Sequence, residues 1–517
     1  MAEPLYATRV FNAVEDFVDV HVAAGLAAKP AYVDPERTLT YGGLQEATRR
    51  FANVLGGLGL QREDRVAMIV LDTVDFPTCF LGAIRAGIVP IPLNTLLATE
   101  QYHYMLTDSR AKVLVVSAAL LPTVAPILDA CPDLAHVLVA GGEAGAHLSL
   151  AAELAKASPD FATAATHPDE TAFWLYSSGS TGAPKGTRHV HTSLKATADL
   201  YGQPILGVRS DDVVFSVAKM FFAYGLGNSL SFPLRVGATV VLNPGRPTPQ
   251  IAFEFLEKYR PTVFCGVPTL YAAMLHDPAI ATAKGSDRLR ICASAGEALP
   301  EHIGEAFEKR FGAVILDGVG STEMLHIFLS NRVGAVVYGT SGLAIPGYDL
   351  SLRDETGREV DTGEIGELYV RGPSAADGYW NQREKSRTTF QGEWTRTGDK
   401  YIRDRSGRHT YCGRADDMFK VSGIWVSPFE IEAALGAHPD VLEAAVVSHA
   451  DEEGLLKPKA FVVLRDGVEG DDLEHRLKEH VKTTVGMWKY PRWIEVVEAL
   501  PKTATGKIQR FKLREGA

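Results

Sequence analysis

The chain has 517 residues, 46% of them hydrophobic and 22% charged, ordinary usage for a soluble globular protein and enough for about three domains by length alone. Lys and Arg number 52 against 63 Asp and Glu, a formal charge of −11. That balance excludes a general nucleic-acid-binding surface, because phosphate-backbone affinity needs a basic face. Five scattered cysteines with no CxxC pair exclude a disulfide framework or a cysteine zinc site and point to a reducing compartment.

The chain opens MAEPLYATRVFNAVEDF, with acids where a secretory leader would carry basic and then apolar residues. It closes on REGA, which is no retention or peroxisomal signal. The apolar run Val66–Leu71 is far short of the roughly 18 residues that a membrane span needs. A cytoplasmic protein without membrane or nucleic-acid partners is expected. From Arg65 the pattern alternates: a strand over Arg65–Asp72, a helix over Pro77–Ala86 stopped by Gly87, an extended run Ile88–Asn94, a helix Glu100–Asp108 and a strand Lys112–Ser117. The rhythm returns with strand Ala238–Asn243, helix Pro249–Lys258 and strand Thr262–Pro268. Strands alternating with helices of about 10–15 residues predict parallel sheets covered by helices on both faces. After Tyr338 the texture changes to short alternating strands, DLSLRD, GELYVRG and HTYCGR, broken by Gly and Asp. A boundary near Arg414–Asp417 is followed by about 100 residues of renewed helix and strand patterns. The expected fold class is α/β: an N-terminal domain over residues 1–415, with parallel-sheet subdomains and a β-rich subdomain, and a small α+β domain over 416–517.

The richest segment is YSSGSTGAPKG, Tyr176–Gly186, directly after the apolar run TAFWLY. Glycines let backbone N–H groups approach an anion, hydroxyls add donors, and Lys185 adds a positive charge. A polyphosphate-binding loop is predicted. It is not the Walker form, since Gly186 is followed by Thr187 and Pro184 interrupts the spacing. His189 and His191, two apart, would share one face of a strand, but no carboxylate or third histidine completes a metal site.

YSSGSTGAPKG resembles the phosphate-binding signature of the acyl-adenylate-forming enzymes, the superfamily of acyl-CoA synthetases, peptide-synthetase adenylation domains and firefly luciferase. DGVGSTEM (Asp317–Met324), WTRTGD (Trp394–Asp399), GRADDMFKVSG (Gly413–Gly423) and PKTATGKIQR (Pro501–Arg510) resemble its further motifs, in the family's order. The resemblance implies two half-reactions: a carboxylate attacks the α-phosphate of ATP to give an acyl-adenylate, and a thiol then displaces AMP. It implies that Ser177, Ser178, Gly179, Ser180, Thr181, Gly182 and Lys185 cradle the β- and γ-phosphates. Thr322 would bond the α-phosphate and Glu323 would hold Mg²⁺, a hard cation that takes oxygen ligands. Asp399 would accept from the ribose hydroxyls, with Arg414 near ribose or phosphate. Adenine would lie between Gly296, Glu297 and Ala298 on one side and Asp317, Gly318 and Val319 on the other; Val319 stands where the family often has a stacking Tyr.

Lys507 resembles the lysine that bridges carboxylate and α-phosphate during adenylation, and residues 482–517 hold eight basic against three acidic side chains. Asp416 matches the hinge position, about which the small domain would rotate to bring Lys420 and Gly423 to a pantetheine tunnel. The acid would lie against Phe222, Ala223, Tyr224, Gly320, His326 and Ile327, an apolar, partly aromatic slot suited to an aryl ring and lacking the Asp that holds an amino-acid ammonium. His326 could be structural or could bond a carboxylate or ring substituent. FNAVEDFVD, LDTVDFPTCFLGAIRAG, FFAYGLGNSLSFPL and GSTEMLHIFLSNR resemble the benzoate–CoA ligase branch in particular. The expected cofactors are ATP, Mg²⁺ and coenzyme A, and the expected partner is a small aromatic acid. Rival readings are a ligase for 2-aminobenzoate or a hydroxybenzoate, an enzyme loading a carrier-protein thiol, a luciferase-type oxygenase and a nucleotide-sensing protein without turnover. A monomer or homodimer is expected.

Overall fold

A computed structural model describes residues 10–515 other than 180–181, 281, 284, 422–423, 453–454, 466, 469–471, 487–488 and 503–507. In it the apolar runs of the N-terminal half become two sheets that share one interior. The first has five parallel strands in the spatial order Val89–Pro92, Arg65–Ile69, Val113–Ser117, His136–Ala140 and Leu148–Ser149. The second has nine strands and is parallel through its middle, from Ile315–Gly320 across Ile291–Ser294, Val263–Gly266, Val213–Ser216 and Thr239–Val241 to Pro30–Val33.

Side-chain alternation decides what lies between them. On the first sheet Val66, Met68, Val113 and Val115 point into the common core, while Ala67, Ile69, Leu114 and Val116 point into a separate outer one. On the second, Val263, Cys265, Ile291 and Ala293 face the common core and Phe264 and Cys292 face away. The helix Asp75–Arg85 is buried on every side and contributes Phe80 and Ile84 to that shared layer. A Cβ at Gly82 would stand 2.9 Å from Phe51, so glycine there lets this helix press against Tyr41–Gly57. Arg85, with no exposed surface, is neutralised by two bonds of 2.8 and 2.9 Å to Asp19 and bonds also to Thr48 and Thr163. Removing Asp19 would leave a buried charge unpaired, at about 3–5 kcal/mol.

Element ends follow local chemistry. The helix expected over Pro249–Lys258 runs Pro249–Tyr259, started by Thr248, whose side chain accepts from the Ile251 N–H, with Pro at the first position. The strand expected over Arg65–Asp72 ends at Ile69 because the Leu71 N–H turns aside to the Ser117 hydroxyl. The glycine-rich segment is corrected from loop to antiparallel hairpin, Thr171–Gly179 with Gly182–Val190, which Gly378–Tyr379 joins as a third strand. A ladder needs only backbone N–H and C=O groups, which every residue of the segment but Pro184 supplies in full, so a Gly/Ser composition does not prevent it. His191 is likewise not on a strand with His189: it opens the helix His191–Thr197 and its Nδ1 accepts from the Ala13 N–H.

The β-rich part is an antiparallel sheet in which Asp349–Arg353, Ile365–Arg371, Trp394–Arg403 and Phe390–Gln391 follow in space, with His409–Arg414 on Trp394–Arg403. The C-terminal domain has its own core, where Ile431, Leu435, Val446, Val462, Leu477 and Val481 pack helices Pro428–Gly436 and Leu473–Val485 onto a three-stranded sheet. No described helix is long and apolar enough to cross a membrane.

Candidate active site

The hairpin stands on buried aromatic anchors. Trp174 packs on Trp380 with ring centroids 4.7 Å apart, and the Tyr176 hydroxyl donates to Asp108 at 2.6 Å. The Tyr104 hydroxyl donates to the Pro184 carbonyl at 3.2 Å, and the Trp380 N–H to the Gly186 carbonyl at 2.8 Å. Both flanks of the glycine-rich tip are thus fixed to the body. In the ladder Ser177 faces Lys185 and Gly179 faces Gly182. Ser180 and Thr181, and the side chain of Ser178, lie outside the described residues.

A polar cluster gathers where the hairpin meets the turn after Ile315–Gly320. Glu323 Oε1 accepts from the Ser177 hydroxyl at 3.4 Å and the Tyr379 hydroxyl at 2.7 Å, and lies 3.9 Å from Lys185 Nζ. Lys185 also reaches the Tyr379 oxygen at 3.3 Å and lies 4.4 Å from the centre of its ring. Burial draws the Lys185 pKa below its ordinary value, and the Glu323 charge opposes that. The same turn carries Thr322, whose carbonyl is 2.9 Å from His189 Nε2. Burial lowers the His189 pKa to about 4, so the ring is neutral and must donate from Nε2 to that carbonyl. His189 therefore supports the Thr322 turn, and among the described residues no group of three His, Cys, Asp or Glu could hold a metal. Glu323 itself sits in an irregular turn.

Asp317, at 3% exposure, joins the two segments expected around adenine: its Oδ2 accepts from the Leu299 N–H at 3.4 Å. Burial pushes its carboxyl up to about 7, against the opposing hydrogen bonds of the Leu299 N–H, the Ser294 hydroxyl and the Gly318 N–H. Gly296 has φ +97°, a left-handed turn beside Glu297 and Ala298, and a Cβ at Gly318 would stand 2.9 Å from Ile327. Val319 is partly buried against the shared core. Asp399 lies in strand Trp394–Arg403 opposite Arg414, whose Nη1 donates to it at 3.0 Å and to the Thr397 carbonyl at 3.0 Å.

The acid-wall residues form a second cluster joined to the first through the same turn. Phe222 precedes the short helix Ala223–Leu226, and the Tyr224 hydroxyl donates to the Gly266 carbonyl at 3.1 Å. His326, 2% exposed, packs against Tyr201, Tyr224 and Phe232 at ring separations of 5.5, 5.5 and 4.4 Å. Its Nε2 is 3.1 Å from the Tyr224 carbonyl, and burial lowers its pKa to about 3. A neutral ring spends its one N–H on that carbonyl, which leaves Nδ1 a buried acceptor with no partner among the described residues. Gly320 and Gly227 lack the Cβ that would overlap the His326 carbonyl and ring respectively, and Ile327 is buried in the next strand.

Of the C-terminal residues, Asp416 lies in the turn after His409–Arg414, and Lys420 lies on the short strand Phe419–Val421. Gly423, Lys507 and the Lys420 side chain are outside the described residues. Beside Asp416, Asp417 is met by Arg514 at 3.1 Å and Arg510 at 3.7 Å, and Arg510 also pairs with Glu432 at 2.6 Å. Sequence reasoning missed Tyr379 and the support role of His189. Tyr379 is separated from Lys185 by 194 positions, and no spacing rule joins them.

The AMP-binding enzyme family matches residues 20–380, and the AMP-binding enzyme C-terminal domain matches residues 430–507. The chain is 58% identical over 507 residues to the benzoate–CoA ligase of Thauera aromatica, covering 98% of this chain and 96% of that protein. It is 53% identical over 509 residues to the 4-hydroxybenzoate–CoA/benzoate–CoA ligase of Rhodopseudomonas palustris, covering 98% and 94%. The crystal structure of a benzoate CoA ligase from Burkholderia xenovorans LB400, 51% identical, superposes with a TM-score of 0.91 over 98% of this chain and all of that one.

Proposed function

This chain belongs to the AMP-binding enzyme family, and we propose that within it the chain is an ATP-dependent aryl-CoA ligase: a benzoate-type acid, ATP and CoA give aryl-CoA, AMP and diphosphate through an acyl-adenylate. The observation that carries this reading is one turn with two uses. Glu323 meets Lys185 and Ser177 of the hairpin, and three residues on His326 closes against Tyr224. An acid held beside that second cluster has its carboxylate next to the phosphates it must attack, and in-line phosphoryl transfer is governed by such positioning.

Within that reading Lys185 and the hairpin backbone take the β- and γ-phosphates, Thr322 takes the α-phosphate, and Asp399 with Arg414 takes the ribose. Glu323 supplies the carboxylate oxygen a hard cation prefers, and Mg²⁺ bound there would offset phosphate charge. Lys507 serves adenylation. After rotation about Asp416, Lys420 and Gly423 serve thioester formation. A screen of CoA-dependent AMP release over benzoate, its amino and hydroxy derivatives, cinnamates and medium-chain fatty acids tests the reading: benzoates should lead, and a preferred fatty acid would overturn it.

One observation favours a ring-substituted acid as a second reading. Nδ1 of His326, which has no partner among the described residues, can accept from a ring hydroxyl or amino group, and benzoate offers it nothing. His326→Phe should then lower turnover of hydroxy- or aminobenzoate while sparing benzoate. An equal loss on all of them would leave benzoate as the better assignment.

A further inference from the structure

Lys185 and Glu323 carry opposite charges in a part-buried cluster, yet their closest atoms stand 3.9 Å apart. Two such groups with nothing between them close to a direct hydrogen bond of about 2.7–2.9 Å. What intervenes is Tyr379. Its hydroxyl donates to Glu323 Oε1 at 2.7 Å, its oxygen is 3.3 Å from Lys185 Nζ, and the same ammonium lies 4.4 Å from its ring centre. The residue is 5% exposed and rigidly mounted: its strand pairs with Thr187–Arg188 of the hairpin, its N–H donates to Ser386 at 3.0 Å, and its ring packs on Phe390 at 5.2 Å.

We propose that Tyr379 is a positioning residue of the nucleotide site, a spacer that stops Lys185 and Glu323 from neutralising each other and so keeps both directed at the triphosphate and its cation. The phenol does this in two separable ways. Its O–H satisfies one carboxylate oxygen, and its ring face supports the ammonium by a cation–π contact. Without the spacer the pair collapses, and a polyphosphate must break a direct ion pair before it binds. AMP, which lacks the β- and γ-phosphates assigned to Lys185, loses nothing by that collapse. The proposal rests on the ligase reading above.

The test is equilibrium binding of ATP and of AMP, each with and without Mg²⁺, to wild type, Tyr379→Phe and Tyr379→Leu, with thermal melting to show that the variants fold. Tyr379→Phe keeps the ring and loses the hydrogen bond to a charged group, so ATP affinity should fall about tenfold. Tyr379→Leu loses both and should weaken ATP further, with AMP affinity within about twofold of wild type for both variants. The double variant Tyr379→Leu/Glu323→Gln should recover part of the ATP affinity measured without Mg²⁺, because no carboxylate remains to capture the lysine. Equal losses for ATP and AMP, or none for either, overturn the proposal alone. A wild type that binds neither nucleotide overturns the ligase reading and this proposal with it.

Discussion

The large body and the small C-terminal domain hold their proposed functional residues by different means. In the body, segments of the proposed site are anchored by partners distant in the chain: Tyr176 by Asp108, the Thr322 turn by His189, His326 by Tyr224. Two of its ion pairs, Arg85–Asp19 and Arg290–Asp212, have one partner buried, with Arg85 at 0% and Asp212 at 1% side-chain exposure. The small domain has a modest core and a margin of half-exposed pairs such as Lys478–Glu474, Lys489–Glu430 and Lys502–Glu443, each worth about 0–1 kcal/mol. Its charged chain end is gathered on Asp417 and Glu432, next to the Asp416 turn. The difference teaches a division of labour. Under the proposed function, nucleotide and acid recognition belong to the body, and Lys507, Lys420 and Gly423, the groups proposed to choose between half-reactions, belong to the small domain.

The sharpest way to break that division is Lys507→Ala. It should abolish acid-dependent ATP–diphosphate exchange, a loss of about 10²- to 10³-fold for one transition-state charge contact, and leave thiolysis of a supplied aryl-adenylate largely intact. Equal loss of both half-reactions would falsify domain alternation. Gly423→Leu is the mirror image. It should spare exchange and cut thioester output about a hundredfold by obstructing the tunnel, and unimpaired thioester formation would remove Gly423 from that role. The body's counterpart is Gly227→Ala, whose Cβ overlaps the His326 ring. Overpacking costs about 1–3 kcal/mol, so a lowered melting temperature and a raised KM for the acid are expected, with the KM for CoA unmoved.

How much of this could be read from sequence follows from how local each feature is. Helix Pro249–Tyr259 was legible because its cap, proline and apolar face sit within a dozen residues. The glycine-rich segment, the Thr322–Glu323 pair and Asp399 could be proposed from sequence because each lies in a compact motif. The hairpin's paired conformation was not legible, because its third strand comes from Gly378–Tyr379. Nor was Tyr379 as a contact of Lys185 and Glu323, or His189 as a buttress, since both depend on which strands become neighbours. The sheet order that sets this is decided by burial over the whole body, not by spacing. Lys507 and Gly423 are the opposite case: their assignment rests on motif alone.

Acid sensitivity separates the two regions by a smaller effect. Burial holds His189, His191 and His409 near pKa 4 and His326 near 3, all in the body, while His438 in the small domain is partly buried and lowered too. A histidine whose folded pKa lies below its unfolded value of about 6.5 binds more protons unfolded, so its stability contribution is lost as pH falls through that window. Each such group costs up to about 1.4 kcal/mol per pH unit. Three body carboxyls, Asp72, Asp108 and Asp317, oppose this. Burial raises Asp72 to about 6 and Asp317 to about 7, so the folded state binds more protons there, and stability is gained on acidification and lost as pH rises. With His21 and His302 also lowered by burial, the histidines outnumber the carboxyls and leave the body less stable at pH 5 than at pH 6.5, and calorimetry should show its transition moving down before that of the small domain. Asp72→Asn isolates the opposing share. Its side-chain oxygen can still accept the Met220 N–H that Asp72 accepts at 3.3 Å, but it cannot titrate. The stability of this variant relative to wild type should therefore climb between pH 5 and pH 7 and be flat above. A relative stability that does not change with pH would mean that Asp72 titrates no differently folded than unfolded, and the body's acid response would then belong to the histidines, Asp108 and Asp317.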